Sequence, residues 1–433
     1  LGFYNDGDYK VISLFGIKIK IKLKRLILIK ELEEQKQQLE EQERRVAGSY
    51  YYSKECINLR LQYEKKLSSL RMINNRKIRI VFLVSDARKW SYDYLYKKLE
   101  INDRFEPIIA VRTIATVVKE TSSALAFFKP RYSNVFICNE ETSLIQLSPD
   151  IVFYEQPWGL LPFEEVDNIA KFALTCYVPY SVTESATSIY WHLKDFHLKL
   201  WKHFILSPLV EDEYNQNFLY YGMNLVESGH PKLDFWLKKE NEKKSKKNYV
   251  IFAPHFSFQT DSDLKYGTFR WSGLYMLNFA KSHPEFNWIF KPHGSLKEYL
   301  LKDEEFRHQA EDYFKEWKRI AIFYDSGSYF DYFRNSMCLI TDCGSFLTEY
   351  FFSGNPVIHL RSEEAKEYPF VSQQIIANYY KAYDVASLSK NLDQILIKRE
   401  DPMKMDRIKN MDRLFSKTSA SEYICDYLEK ELK

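Results

Sequence analysis

Two histidines stand at matching places in the second half of the chain. His255 follows the run Val250-Ile251-Phe252-Ala253-Pro254, and His293 follows Trp288-Ile289-Phe290-Lys291-Pro292. An imidazole titrates near neutral pH, so each ring can take or give a proton in a reaction. Both preceding runs have strand length, with a helical stretch between them. The two rings are therefore expected at the carboxyl ends of strands one strand-helix-strand unit apart. Ligands of open α/β sheets bind in the crevice at those ends. His359 lies inside the apolar run Pro356–Leu360 and reads as a core residue.

A third signal is Thr341-Asp342-Cys343-Gly344-Ser345, between a strand and a helix expected to start near Phe346. Ser345 is placed to cap that helix, and Gly344 lets a ligand approach the backbone. Free N–H groups and the helix dipole favour an anion there. Glu349 either faces the same crevice, accepting from a ribose or an acceptor hydroxyl, or lies on the helix surface. Upstream, Tyr324-Asp325-Ser326-Gly327-Ser328 ends another strand and offers a second anion loop through Ser326. Lys291 supplies a cation for a diphosphate.

The chain lacks an H-E-x-x-H and any paired Cys/His spacing, so neither a metal nor a cofactor is expected. It also lacks G-x-S-x-G and the Walker A loop, which disfavours a serine hydrolase or a P-loop NTPase. Cys343 would act as a nucleophile only with a partner histidine.

Which elements hold these residues in place? The chain has 433 residues, 45% hydrophobic and 28% charged, enough for a large core and unlike a disordered or collagen-like protein. Thirteen glycines exclude Gly-rich repeats, and 62 basic against 59 acidic residues are too balanced for a chain built to grip nucleic acid. The cysteines at 56, 138, 176, 338, 343 and 425 form no C-x-x-C pair and read as reduced thiols. No apolar run reaches the ~18–20 residues of a membrane span, and the N-terminal residues lack a signal-peptide layout. A cytoplasmic location is expected.

From Lys77 onward, short β-branched and aromatic runs alternate with helical stretches. They include residues 78–84, 106–111, 134–138, 150–156, 174–180, 203–207 and 224–229. The second half adds 248–254, 287–292, 321–326, 338–342 and 356–360. Continuous apolar runs of this kind suit parallel strands buried on both faces. The expected fold is α/β, with two Rossmann-like domains at 77–236 and 249–400. A lysine-rich linker at 237–248 joins them, and helices at 401–433 end the chain.

Residues 1–76 differ. Residues 17–25 alternate aliphatic with basic, which suits an edge strand guarded by lysines or a surface that touches an anionic membrane. Residues 31–45 are strong helix formers and read as a solvated helical arm. A second helix, roughly 50–73, carries Leu59, Leu61, Tyr63, Leu67 and Leu70.

Three segments resemble the CDP-glycerol glycerophosphotransferases, the teichoic-acid and capsule polymerase family of GT-B architecture. Residues 227–236, ESGHPKLDFW, are similar to its Gly-x-Pro-Arg-x-Asp segment, with Lys232 for Arg. Residues 290–294, FKPHG, resemble its Arg-x-His-Pro strand end, with Lys291 and Gly294 replacing Arg and Pro. Residues 340–360 resemble its Thr-Asp-Tyr-Ser-Ser helix start, with Ser345 at the second Ser and Glu349 where Asp is usual. The resemblance extends to APHFSF with GTF at 267–269, and to VFLVSDARKWSYDYLYKKL in the first half; residues 1–76 are not covered.

This resemblance implies a GT-B arrangement of the two domains and a CDP-linked donor on the second. The donor diphosphate would lie near Ser345, Ser326, Lys291, Asp342 and Gly344. A hydroxyl of a glycan or polyol-phosphate acceptor, lipid-linked, would attack phosphorus and expel CMP. His255 would be the base and His293 the phosphate partner, or the reverse. Residues 17–30 would then hold the enzyme peripherally at the inner membrane face. The alternatives are a GT-B glycosyltransferase using a nucleotide sugar, or a non-catalytic scaffold.

Overall fold

The computed structural model describes residues 2–6, 9–14, 17–22, 55–112, 118–182, 195–207, 224–237, 248–258, 265–324, 329–365, 368, 370–414 and 418–433. Residues 1–59 form one compact unit and residues 60–433 another. In the first unit, strands β1 (Gly2–Asp6), β2 (Tyr9–Leu14) and β3 (Ile17–Lys22) make an antiparallel sheet. Lys18, Lys20 and Lys22 thus lie on a strand at the edge of this sheet among the described residues. The helical arm expected at 31–45 lies outside the described residues.

A helix over 55–71 follows. Leu59, Tyr63, Leu67 and Leu70 are buried on one stripe at helical spacing, whereas Leu61 is 57% exposed on the opposite face. The Tyr63 hydroxyl donates to the Lys199 carbonyl at 2.8 Å.

The second unit contains two parallel sheets. The first has β4 (Ile78–Val84), β5 (Phe105–Arg112), β6 (Val135–Cys138), β7 (Ile151–Tyr154), β8 (Leu174–Tyr177), β9 (Lys202–Ile205) and β10 (Leu225–Glu227). Their order is β10-β9-β8-β7-β4-β5-β6, every pair parallel. The second has β11 (Tyr249–Ala253), β12 (Asn287–Phe290), β13 (Ile322–Phe323), β14 (Ser336–Thr341), β15 (Val357–Leu360) and β16 (Tyr380–Ala382). Its order is β13-β12-β11-β14-β15-β16, also all parallel. Both sheets start in the middle, build outward, then return and build the other way. This is the doubly wound pattern, whose ligand crevice opens between the first strand and the strand that begins the return.

The apolar strands dictate this layering. Every residue of β7, β8 and β15 is buried, as parallel strands covered on both faces must be. Aromatic rings fill the layer beside the second sheet, where Phe290 stacks on Trp317 with centroids 4.6 Å apart.

The C-terminal helices divide between the two sheets. In Lys404–Leu414, buried Arg407 pairs with Asp401 behind the second sheet. The last helix, Ala420–Glu431, crosses back: Glu422 pairs with Lys98 and Arg104 donates to the Leu432 carbonyl. Asp234 fixes that crossing by accepting from Ser419 Oγ, the Ala420 N–H and the Ser421 N–H at 2.8–2.9 Å.

Candidate functional site

Strands β11 and β14 lie side by side at the reversal of the second sheet, with β12 on the other side of β11. The chain leaves β11 at Pro254-His255, β12 at Lys291-Pro292-His293 and β14 at Asp342-Cys343. These exits are tied together: the His293 N–H donates to the Pro254 carbonyl at 2.9 Å, and Thr341 Oγ1 donates to the Ala253 carbonyl at 2.6 Å. The His255 and His293 rings meet with centroids 4.9 Å apart and planes at 62°. Phe256 packs against both, at 4.5 Å from each. His255 is buried, whereas His293 is exposed.

Each ring is held by its Nδ1. The Ser257 N–H reaches His255 Nδ1 at 3.3 Å, and the Ser295 N–H reaches His293 Nδ1 at 3.1 Å. A backbone N–H can only donate, so each Nδ1 accepts and each neutral ring carries its proton on Nε2. Ser257 Oγ, 2.7 Å from His255 Nδ1, accepts the N–H groups of Tyr266 and Gly267 and donates to the ring. Among the described residues no group pairs with either Nε2. Burial, then the neighbouring His293, lowers the His255 pKa to about 3. Desolvation, then Arg88 and Lys291, lowers that of His293 to about 4. Both rings are neutral N–H donors at neutral pH.

Asp342 positions this arrangement. Its Oδ1 accepts the His255 N–H at 2.6 Å, and its Oδ2 accepts from the Thr268 N–H and hydroxyl at 2.7 and 2.9 Å. Burial raises its pKa to about 6, against these hydrogen bonds. Phosphate binding was the expectation for Asp342, but its carboxylate is filled by internal donors and its charge would repel phosphate. Gly267 completes the clamp. A Cβ there would lie 2.6 Å from the Phe258 nitrogen and 2.8 Å from the Ser257 carbonyl carbon, so only glycine allows that approach.

The remaining predicted residues are distributed as follows. The helix after β14 spans Gly344–Phe351 with Cys343 at the N-cap, so Ser345 lies inside the first turn and does not cap it. Ser345 Oγ is 3.5 Å from Cys343 Sγ. Gly344 is not forced by its surroundings, since an added Cβ would meet only Tyr368 and Tyr266, at 3.6 and 3.8 Å. Glu349 is buried, paired with Lys232 at 3.2 Å and bonded by the Tyr329 hydroxyl. That network occupies the carboxylate expected to meet a ribose. The Lys291 ammonium sits among Tyr324, Tyr329 and Phe346, 4.8–5.4 Å from their centroids. Ser326 lies outside the described residues. His359 is buried with its pKa lowered to about 3 by burial, then Arg361 and Lys381. Among the described residues no three His, Cys, Asp or Glu side chains cluster to hold a metal.

The first sheet repeats the clamp. Glu155, one residue beyond β7, accepts the Ser85 N–H at 2.8 Å, the Ser85 hydroxyl at 2.7 Å and the Asp86 N–H at 3.3 Å. Burial raises its pKa to about 7. Sequence reasoning passed over Ser257, Thr268, Glu155 and Arg88. GTF at 267–269, APHFSF and VFLVSDARKW held Thr268, Ser257 and Arg88 within the resembling segments, but their partners depend on tertiary contacts, as do those of Glu155.

The sequence matches no protein-family model and no curated protein. Solved structures do share the fold. The Staphylococcus aureus MnaA–UDP complex aligns with TM-score 0.53 and 16% identity over 82% of this chain and 97% of that one. The Neisseria meningitidis UDP-GlcNAc 2-epimerase bound to UDP-GlcNAc aligns with TM-score 0.52 and 14% identity, covering 82% and 100%. A variant of the wall teichoic acid polymerase TagF aligns with TM-score 0.53 and 12% identity, covering 89% and 98%. The same polymerase after a soak with CDPG aligns at 0.51. The likeness establishes the architecture: two Rossmann-like α/β domains of GT-B type.

Proposed function

We propose that the chain is a GT-B transferase that moves a glycerol-phosphate-type group from a CDP-linked donor to a hydroxyl of a cell-surface glycan or polyol-phosphate acceptor. The observation that carries this reading is the histidine pair: two neutral rings 4.9 Å apart at adjacent strand ends, each with its proton on Nε2.

Phosphoryl transfer proceeds through a loose transition state with charge spread over the phosphoryl oxygens, so positioning and charge stabilisation dominate. Nε2–H groups of His255 and His293 would donate to those oxygens, each donor contributing roughly 10²–10³ in rate. A diphosphate beside the rings raises their pKa values, because an adjacent negative charge favours imidazolium. The donors then become charge-assisted and stronger. The acceptor oxygen forms a bond to phosphorus, the bond to CMP breaks with its electron pair, and the hydroxyl proton ends in solvent. A base role for His255, the sequence expectation, requires a bare Nε2, and the Ser257 N–H opposes that tautomer.

Supporting the donor class are the family resemblance of the motifs at these strand ends and the fold shared with TagF. The nucleotide-sugar reading keeps one specific support, the fold shared with proteins solved with UDP and UDP-GlcNAc. Incubation with CDP-glycerol and a polyol-phosphate acceptor, followed by phosphorus NMR, separates the two. CMP release with a new phosphodiester supports the proposal. Inertness toward CDP-glycerol with UDP released from a nucleotide sugar replaces it by the second reading.

The basic edge strand β3 supports contact with an anionic membrane, where a lipid-linked acceptor would be found. Deleting residues 1–30 should release the protein from anionic liposomes at low salt, and unchanged binding would refute the contact.

A further inference from the structure

We infer that Lys89, at the reversal of the first sheet, forms an anion site that holds a phosphate group of the acceptor, so that the acceptor is a polyol phosphate rather than an uncharged glycan. This inference rests on the transferase reading and names its second substrate.

The first sheet has a reversal of its own, between β4 and β7, and hence a ligand crevice of its own. The chain leaves β4 through Ser85 and Asp86 into a short helical turn, Ala87–Lys89, and leaves β7 through Glu155 and Gln156. The Glu155 clamp ties these two exits together. Lys89 bridges them a second time, its ammonium donating to Gln156 Oε1 at 2.5 Å. The orientation of that amide is fixed, because Gln156 Nε2 donates to the Trp158 carbonyl at 2.8 Å. The ammonium also lies 5.6 Å from the centre of the Trp158 ring, which Tyr180 meets edge-on at 5.4 Å. The segment carrying Trp158 is itself anchored: buried Arg112 donates to the Gly159 carbonyl at 2.6 Å and pairs with buried Glu164.

Lys89 is thus a placed cation without a counter-ion. The side chain is half-buried, yet no carboxylate among the described residues lies within ion-pair distance of its ammonium. The carboxylates on which its charge acts, Asp86 and Glu155, are already engaged. Asp86 pairs with Arg88, and Glu155 accepts from Ser85 and the Asp86 N–H. Charged groups withdrawn from water are ordinarily paired. Here a neutral amide and an aromatic ring hold the ammonium, and two of its three N–H bonds meet no acceptor among the described residues. An anion completes that set. An uncharged sugar would call on the Gln156 amide, and both ends of that amide are taken. The Ala87–Lys89 turn also abuts the second domain beside His293, since a Cβ at Gly294 would lie 3.1 Å from Arg88 Nη1.

The test is isothermal calorimetry of the full chain with a glycerol phosphate trimer, with inorganic phosphate and with CDP, on the wild type, Lys89→Met and Lys89→Arg. Melting curves check that each variant folds. Loss of one charge-assisted contact should weaken the trimer about 10- to 100-fold in Lys89→Met, while CDP binds as before. Lys89→Arg keeps the charge and should recover part of that affinity. Equal trimer affinity in wild type and Lys89→Met overturns the inference and leaves the donor reading standing. So does a wild type that binds the trimer no tighter than inorganic phosphate, or an equal loss of CDP affinity in Lys89→Met. Trimer binding that depends on Lys89, by a wild type with no affinity for CDP, supports the inference and sinks the CDP reading. Failure of the wild type to bind either the trimer or CDP overturns both.

Discussion

Asp342 accepts the backbone N–H of His255 at 2.6 Å. This bond crosses from β14 to β11, at the reversal of the sheet, and fixes where the histidine leaves its strand. Replacing Asp342 by Asn keeps the shape but turns an N–H₂ group toward internal donors. Burial already disfavours the Asp342 charge, so losing that charge offsets part of the lost bonding. We expect Asp342→Asn to shift the melting temperature by about 4 °C or less. Turnover should fall roughly 10²-fold, as for a small misplacement of a reacting group. Faster amide exchange at His255 and Thr268 would locate the change.

The tautomer assignment separates a donor from a base. His293→Gln retains an N–H near the place of Nε2, while His293→Ala does not. A donor role predicts that Gln keeps at least about tenfold more activity than Ala, with Ala down roughly 10²–10³-fold. Steady-state kinetics of the two variants checks this. Equal loss in both would favour a base.

Proton linkage sets the acid limit of the fold. Four buried rings, His203, His230, His255 and His359, have folded pKa values depressed by burial below the ordinary 6.5. Their stabilisation is present above pH 6.5 and lost as pH falls below it, toward about 3 for His230, His255 and His359. Asp342 and Glu155 act oppositely, being raised to about 6 and about 7; their contribution is present at low pH and lost as pH rises through those values. Between roughly pH 6 and 4.5 these rings, with His293 lowered to about 4, outnumber the two raised carboxylates, so unfolding takes up protons and stability falls on acidification. Urea unfolding at a series of pH values measures the slope, and a flat profile would refute it.

Lys232 and Glu349 form a nearly buried ion pair between the segment that leaves the first sheet and the helix after β14. Breaking one side strands a charge. Lys232→Met should cost roughly 3–5 kcal/mol, whereas Lys232→Met with Glu349→Met should recover most of it. Denaturant unfolding of the single and double variants gives both numbers.

Strands β4 to β15 were legible because continuous apolar runs leave a parallel strand no other place. β16 was not, since Tyr380-Lys381-Ala382 is three residues long with an exposed lysine at its centre. β1 and β2 were hidden by Asp and Gly between short mixed runs. At the site, the histidine pair was legible from position alone, because His255 and His293 each follow a strand and a proline. Which carboxylates are already occupied was not. Asp342 and Glu349 look alike in sequence as ligand binders, yet Thr268 and Lys232, distant along the chain, fill them. The helix begins two residues earlier than expected, at Gly344, which moves Ser345 out of the capping place.

The central claim is a CDP-linked donor held at the strand ends of the second sheet. Calorimetric titration with CDP, CMP, UDP and GDP, on wild type, Ser345→Ala and His293→Ala, tests it most directly. The account predicts preference for CDP, weakened about tenfold or more in His293→Ala. Preference for UDP or GDP, or CDP affinity unchanged in His293→Ala, would contradict it.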